Sequence, residues 1–294
     1  MYIIAMCEIF IAINVFPDVL KDRNNTYMSN EVKDTGMVLK IGHLYPTLMS
    51  VAADRGNLFS IQKRCKWRGI SVEVEQIFVM QTPDFTKYDL ILFHGGADRE
   101  MELASRDIQA KAPSLREAVD SNTVFLSVCA GYQLLGHYYK PFQGPDLKGV
   151  GILDLYTEGG GTRFMTHMAL ECEFEETGLK ILVGYENHSG RTYLGEKAKP
   201  LGKVLAGWGN NGKDNYEGAK YKNVFGTYLH GPVLPKNPWF TDLLIQRALE
   251  RRYGKVELAP LDDATENAAH AAALKLAQDF KGTMSAIDAT PWKR

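Results

Sequence analysis

The sequence predicts an α/β fold in which a mostly parallel central sheet carries helices on both faces. Three observations predict it. Short, continuously apolar runs such as Tyr88–Phe93 (YDLILF) and Thr123–Val128 (TVFLSV) read as strands buried on both sides. They alternate with amphipathic stretches of helical spacing, the order that lays parallel strands side by side with crossover helices. Glycine-containing junctions, Gly95-Gly96 and Cys129-Ala130-Gly131, fall at the ends of these two runs, where open α/β sheets gather their ligands.

Taken in order, the elements begin with a strand at Val38–Leu44. Gly56–Arg68 (GNLFSIQKRCKWR) places Leu58, Ile61 and Cys65 on one helical side. Ser71–Ile77 alternates β-branched and polar residues as a strand does, and Tyr88–Phe93 follows. Arg99–Asn122 reads as helix despite Pro113. Thr123–Val128 runs straight into Cys129 and a short helix to Leu135. The second half is richer in glycine and in short strands: Gly149–Tyr156, Met168–Glu173, Ile181–Tyr185, Lys203–Gly207 and Val224–Tyr228. Thr241–Arg252 is a helix, and the Ala-rich Asp262–Lys281 is a peripheral one beyond a Pro-containing linker.

These elements divide the chain into a main domain over residues 37–253 and a C-terminal linker and helix over 254–294. Residues 1–36 are expected to stand apart as an N-terminal extension, either disordered or a product of start-codon choice. Ile3–Phe16 is apolar but interrupted by Glu8, and is shorter than the ~20 residues a membrane span needs. It also lacks the basic flank and cleavage site of a signal peptide.

Composition narrows the function. Lys+Arg number 34 against Asp+Glu 35, without the basic excess of a nucleic-acid binder. Four cysteines (Cys7, Cys65, Cys129, Cys172) are scattered with no CxxC pair, which argues against a disulfide framework or a metal site and fits a reducing cytoplasm. No Gly-x4-Gly-Lys-Ser/Thr loop or dinucleotide fingerprint is present, and Gly159-Gly160-Gly161 lacks the strand–loop–helix context. Any ATP-dependent step is therefore expected on another polypeptide.

Cys129 is the thiol with a chemical setting. A buried strand leads into it, and Ala130 and Gly131 follow before a helix: the pattern of a nucleophile elbow, which tolerates only small neighbours. The helix start favours a thiolate, and the Ala130 N–H would face a developing oxyanion. Of 7 histidines, His230 in GTYLHGP sits in a tight turn at a strand end, as a positioned general acid and base requires. His94, beside Gly95-Gly96, and His188, in ENHSGRT, read as structural.

The elbow CAGYQ, the loop HGGADRE, the segment ENHSGRT and the turn TYLHGP together resemble the class I glutamine amidotransferases of the cobyric-acid-synthase-like branch. HLYP with DRGN, GILDLYTE and GNN are similar to the glutaminase subunits of lipid II isoglutaminyl synthases within that branch. The likeness runs from about Val38 to Tyr253. It implies the flavodoxin-like fold of that class, with Cys129 as the nucleophile that forms a glutamyl thioester and His230 as acid and base. It also implies Gly95 and Gly96 completing the oxyanion hole with Ala130, Arg163 gripping L-glutamine, and Gln133 helping to seat it. A guanidinium suits that grip because it meets a carboxylate bidentately.

The resemblance further implies a heterodimer with a MurT-like Mur ligase subunit that holds ATP and Mg and amidates the D-glutamate α-carboxyl of the lipid II stem peptide. No metal or cofactor is expected in this chain. Two departures stand out. Many relatives carry a glutamate two residues after the histidine, where this chain has Pro232, so another carboxylate must orient His230: Asp54 or one from the partner. His94 stands where the family commonly has glycine. The alternatives are a glutaminase serving another acceptor, such as a cobalamin precursor, or a catalytically silent binding subunit.

Overall fold

The computed structural model describes residues 34–50, 54–279 and 283–286; nearly all of the expected N-terminal extension, Cys7 included, lies outside the described residues. In chain order the first half consists of β1 (Val38–Leu44), α1 (Arg55–Lys66), β2 (Ser71–Ile77), β3 (Leu90–Phe93), α2 (Asp98–Asp120), β4 (Val124–Val128) and the short α3 (Ala130–Leu135). The second half begins with β5 (Tyr138–Lys140), β6 (Leu147–Lys148), β7 (Leu155–Phe174), β8 (Gly178–Leu194) and β9 (Gly202–Ala206). It continues with β10 (Tyr216–Glu217), β11 (Ala219–Tyr221), β12 (Val224–Thr227), β13 (Leu229–His230), α4 (Pro238–Tyr253), α5 (Ala264–Asp279) and β14 (Thr283–Ala286).

The central sheet has the order β11-β12-β4-β3-β1-β2. Its strands are parallel except for β11, an antiparallel edge. Every residue of β3 and β4 is buried, as strands covered on both faces must be. Successive residues serve opposite cores. Ile91, Phe93 and Phe125 join Met101, Ile108 and Leu115 of α2 on one face. Leu90, Leu92, Val124, Leu126 and Val128 join Leu58 and Ile61 of α1 and Leu243–Ile245 of α4 on the other. The α/β class read from the sequence is the class observed.

The second half departs from the reading. In place of three short strands at Gly149–Tyr156, Met168–Glu173 and Ile181–Tyr185 there is one long antiparallel hairpin, β7 with β8, paired from Leu155↔Leu194 to Phe174↔Gly178. It belongs to a second, eight-stranded sheet. Several glycines sit inside these strands because other chain packs against them. A Cβ on Gly159 would lie 2.1 Å from the Phe142 amide nitrogen, and one on Gly190 would lie 2.3 Å from Gln133 Nε2. Close approach, not turning, requires glycine there. Gly149–Asp154 is no strand; Val150 and Ile152 instead donate to the carbonyls of Leu134 and Leu135 at the end of α3.

The C-terminal helix is real, and it is anchored. Ala273 and Ala277 pack on Ala169 and Val183 of the hairpin, and Asp263 meets the buried Arg64 at 2.6 Å. Beyond it, β14 adds an antiparallel edge to β7, pairing Thr283↔Met165 through Ala286↔Thr162. The Ala-rich run gave no sign of this strand.

Candidate active site

The elbow is built by β4 and α3. Cys129 has φ 51° and ψ −108°, a conformation that costs a non-glycine residue roughly 1–3 kcal/mol and that the surrounding structure has to enforce. Its N–H donates to Thr227 O at 2.8 Å, tying it to the end of β12, and its carbonyl accepts from Gln133 N at 2.9 Å. Gly131 must lack a side chain, because a Cβ would stand 2.3 Å from the Phe93 carbonyl oxygen. That contact packs the elbow against the end of β3, so the loop carrying Gly95 and Gly96 lies alongside. Ala130, the first residue of α3, has a backbone N–H beyond the reach of any intrahelical carbonyl.

Accessibility separates the thiols. Cys129 is partly exposed, whereas Cys65 and Cys172 are buried, and burial pushes both of those up to about 12. A thiol held protonated in the core is a poor nucleophile.

His230 closes the short β13, which pairs with β8 opposite Tyr185. Gly231, at φ 95°, turns the chain directly after it. The next residue, Pro232, fills the space a Cβ on Gly56 would occupy, 2.3 Å from Pro232 Cγ. One residue on, Asn57 Oδ1 accepts from Leu234 N at 2.9 Å. The start of α1 is therefore clamped to the turn after His230. That clamp delivers Asp54, fully buried, with its two carboxylate oxygens 3.2 and 3.3 Å from His230 Nδ1. Of the two sources considered for the orienting carboxylate, the one within the chain stands at the histidine.

Burial alone would lower the His230 pKa, but the Asp54 carboxylate and the nearby Cys129 sulfur outweigh it and hold the imidazole well above its ordinary value. The site thus favours imidazolium beside sulfur, the pairing that activates a cysteine nucleophile.

Arg163 lies half-buried on β7, in the stretch where the hairpin register shifts between Gly159 and Phe164, and Nη1 donates to Asn187 Oδ1 at 3.2 Å. Tyr139, on β5, is buried nearby. Its phenol, pushed up to about 12 by burial and then by Asp98, also feels both Cys129 and Arg163. Gln133 is only 4% exposed and faces inward. Its Nε2 donates to Tyr228 OH at 2.9 Å, which lies 2.6 Å from Thr192 Oγ1, itself 2.7 Å from Thr157 Oγ1. The His188 ring stacks on Tyr228 at 3.6 Å. Gln133 and His188 therefore belong to a polar frame beneath the elbow.

Sequence reasoning missed Tyr139, Tyr228 and the buried Glu186 and Glu217. Tyr139 lies on a strand of three residues, and tyrosines carry no spacing signal. Glu186 stands in the ENHSGRT segment, but nothing in the sequence shows that it is buried and accepts from Trp208 N and Gly209 N.

Residues 40–238 match the CobB/CobQ-like glutamine amidotransferase domain. The chain is 39% identical over 228 residues to subunit GatD of the glutamine-hydrolyzing lipid II isoglutaminyl synthase of Staphylococcus aureus, covering 78% of this chain and 91% of that protein. The chain belongs to the GatD family. The same subunit of Streptococcus pneumoniae is 37% identical over 76% of this chain and 86% of its own length. The cobyric acid synthase of Pelotomaculum thermopropionicum is more distant, 31% identical over 49% of this chain and 29% of its own length. As a GatD-family member the chain is a glutamine amidotransferase subunit, and its likeness to cobyric acid synthases stops at the shared domain.

Proposed function

We propose that the chain hydrolyses L-glutamine at Cys129 and passes the ammonia to an ATP-dependent ligase partner. The observation that carries this reading is one constellation: a strained, partly exposed cysteine at an elbow, and near it a histidine that feels its sulfur and leans on a buried aspartate. Cys129 sulfur attacks the side-chain carboxamide carbon of glutamine. The oxyanion is received by the Ala130 N–H and the Gly95–Gly96 backbone. His230 gives its proton to the departing nitrogen, ammonia leaves, and a glutamyl thioester remains. His230, now neutral, takes a proton from water as the water adds to the thioester; glutamate departs and the thiol is restored. Asp54 keeps the imidazole in the orientation both steps need, and Arg163 grips the amino-acid end of the substrate.

The acceptor is proposed from the GatD relatives: the D-glutamate α-carboxyl of the lipid II stem peptide, converted to D-isoglutamine by a MurT-like Mur ligase subunit that holds ATP and Mg, in the cytoplasm. Among the described residues no helix is long and apolar enough to cross a membrane. The test is the two-subunit complex carrying Cys129→Ala. Glutamine-dependent amidation of lipid II should vanish while ammonium-dependent amidation persists. Undiminished glutamine use overturns the nucleophile, and a complex that amidates a corrin but not lipid II overturns the acceptor.

A further inference from the structure

Two buried histidines stand beside the site and have no part in the steps above. His43, on β1, is 1% exposed, and His94, directly after β3, is 0% exposed. His43 Nε2 lies 3.2 Å from His94 Nδ1, with the rings edge to face. Burial keeps both neutral, pushing His43 down to about 3 and His94 to about 4, with neighbouring charges secondary. A neutral imidazole has one donor and one acceptor nitrogen. His94 Nδ1 is occupied by His43, yet its Nε2 is buried with no hydrogen-bond partner among the described residues. Among those residues no group of three or more His, Cys, Asp or Glu could hold a metal ion.

The charged groups acting on the His94 ring are Asp54 and His230. Among the described residues, Asp54 also has hydrogen-bonding capacity to spare. Among the described residues its buried carboxylate meets His230 Nδ1 alone, although a carboxylate has room for several donors. Its oxygens are also nearly equidistant from that nitrogen, at 3.2 and 3.3 Å, so neither is committed. A second donor on one oxygen would assign the other to His230.

We propose that His94 is a positioning residue for the Asp54–His230 pair. His43 Nε2–H donates to His94 Nδ1, which leaves His94 Nε2–H as the second donor to the Asp54 carboxylate through one bridging water. The arrangement satisfies a buried donor and a buried acceptor at once. It rests on the reading of Asp54 as the acid that orients His230.

Glutaminase kinetics of the two-subunit complex test it. His94→Phe keeps a ring and removes both nitrogens; His94→Gln returns an amide donor near the Nε2 position. We expect kcat to fall about tenfold or more in His94→Phe with the KM for glutamine unchanged, and His94→Gln to recover most of it. His94→Phe should add nothing further in an Asp54→Asn background. A wild-type kcat in His94→Phe, or His94→Gln no better than His94→Phe, overturns the proposal. Wild-type activity in Asp54→Asn would instead remove the reading beneath it. If the Phe variant does not fold, long-range proton–nitrogen NMR of the unmodified protein decides: His94 must carry its proton on Nε2, and a proton on Nδ1 overturns the proposal.

Discussion

At the residue scale, the proposed chemistry rests on a sulfur, an imidazole and a carboxylate drawn from three distant parts of the chain. On the proposed mechanism Asp54, in contact with His230 Nδ1, stabilises the imidazolium and fixes its orientation. Asp54→Asn is expected to lower the kcat for glutamine about a hundredfold or more while KM changes little. The alkaline limb of kcat/KM should also move to lower pH. Removing the negative charge lowers the imidazolium pKa, so the ring loses its proton earlier as pH rises. An unchanged pH profile would mean that Asp54 is only part of the fold. Arg163 should show the opposite division. Arg163→Ala is expected to raise the KM for glutamine about tenfold or more and leave kcat nearly intact, since a binding grip made equally in ground and transition states acts on KM.

At the element scale, the site is a meeting of strand ends. β3, β4 and β12 lie side by side, and their last residues lead to Gly95, Cys129 and His230. Much of this was legible in the sequence. The continuous apolar runs gave β3 and β4, and small residues after Cys129 gave the elbow, because buried parallel strands and close backbone packing leave strong local signals. Other parts were not legible. The register of β7 on β8 is set by partners far along the chain, and Gly159 and Gly190 serve contacts with Phe142 and Gln133 that no local pattern reveals. The approach of Asp54 to His230, 176 residues apart, depends on the clamp of Gly56 on Pro232. Gly56→Ala forces a methyl into a rigid ring and should push the start of α1 from the turn. The expected result is a loss of about 1–3 kcal/mol in stability by denaturant unfolding, with kcat falling more than KM rises. Wild-type kinetics in that variant would detach α1 from catalysis.

At the scale of the whole molecule, the second sheet holds two carboxyl groups away from water. Burial pushes Glu186 and Glu217 up to about 8, although backbone N–H groups pull each back. The fold therefore binds more protons than the unfolded chain between their ordinary 4.5 and about 8. Their contribution to stability is complete below the lower value and is lost as pH rises through the upper one. Glu217→Gln keeps the shape without the titration and should flatten the fall of melting temperature between about pH 5 and 9; an unaltered slope would contradict this. The same sheet carries Arg163 on β7 and seats β13, so it would support both the proposed substrate grip and the proposed base. The most direct test of the whole account is an acid-quenched single turnover of the two-subunit complex with glutamine, followed by mass spectrometry of the cysteine peptides. A glutamyl adduct on Cys129, absent from Cys129→Ala, is expected; turnover with Cys129 unmodified, or with the adduct on Cys65 or Cys172, would contradict it.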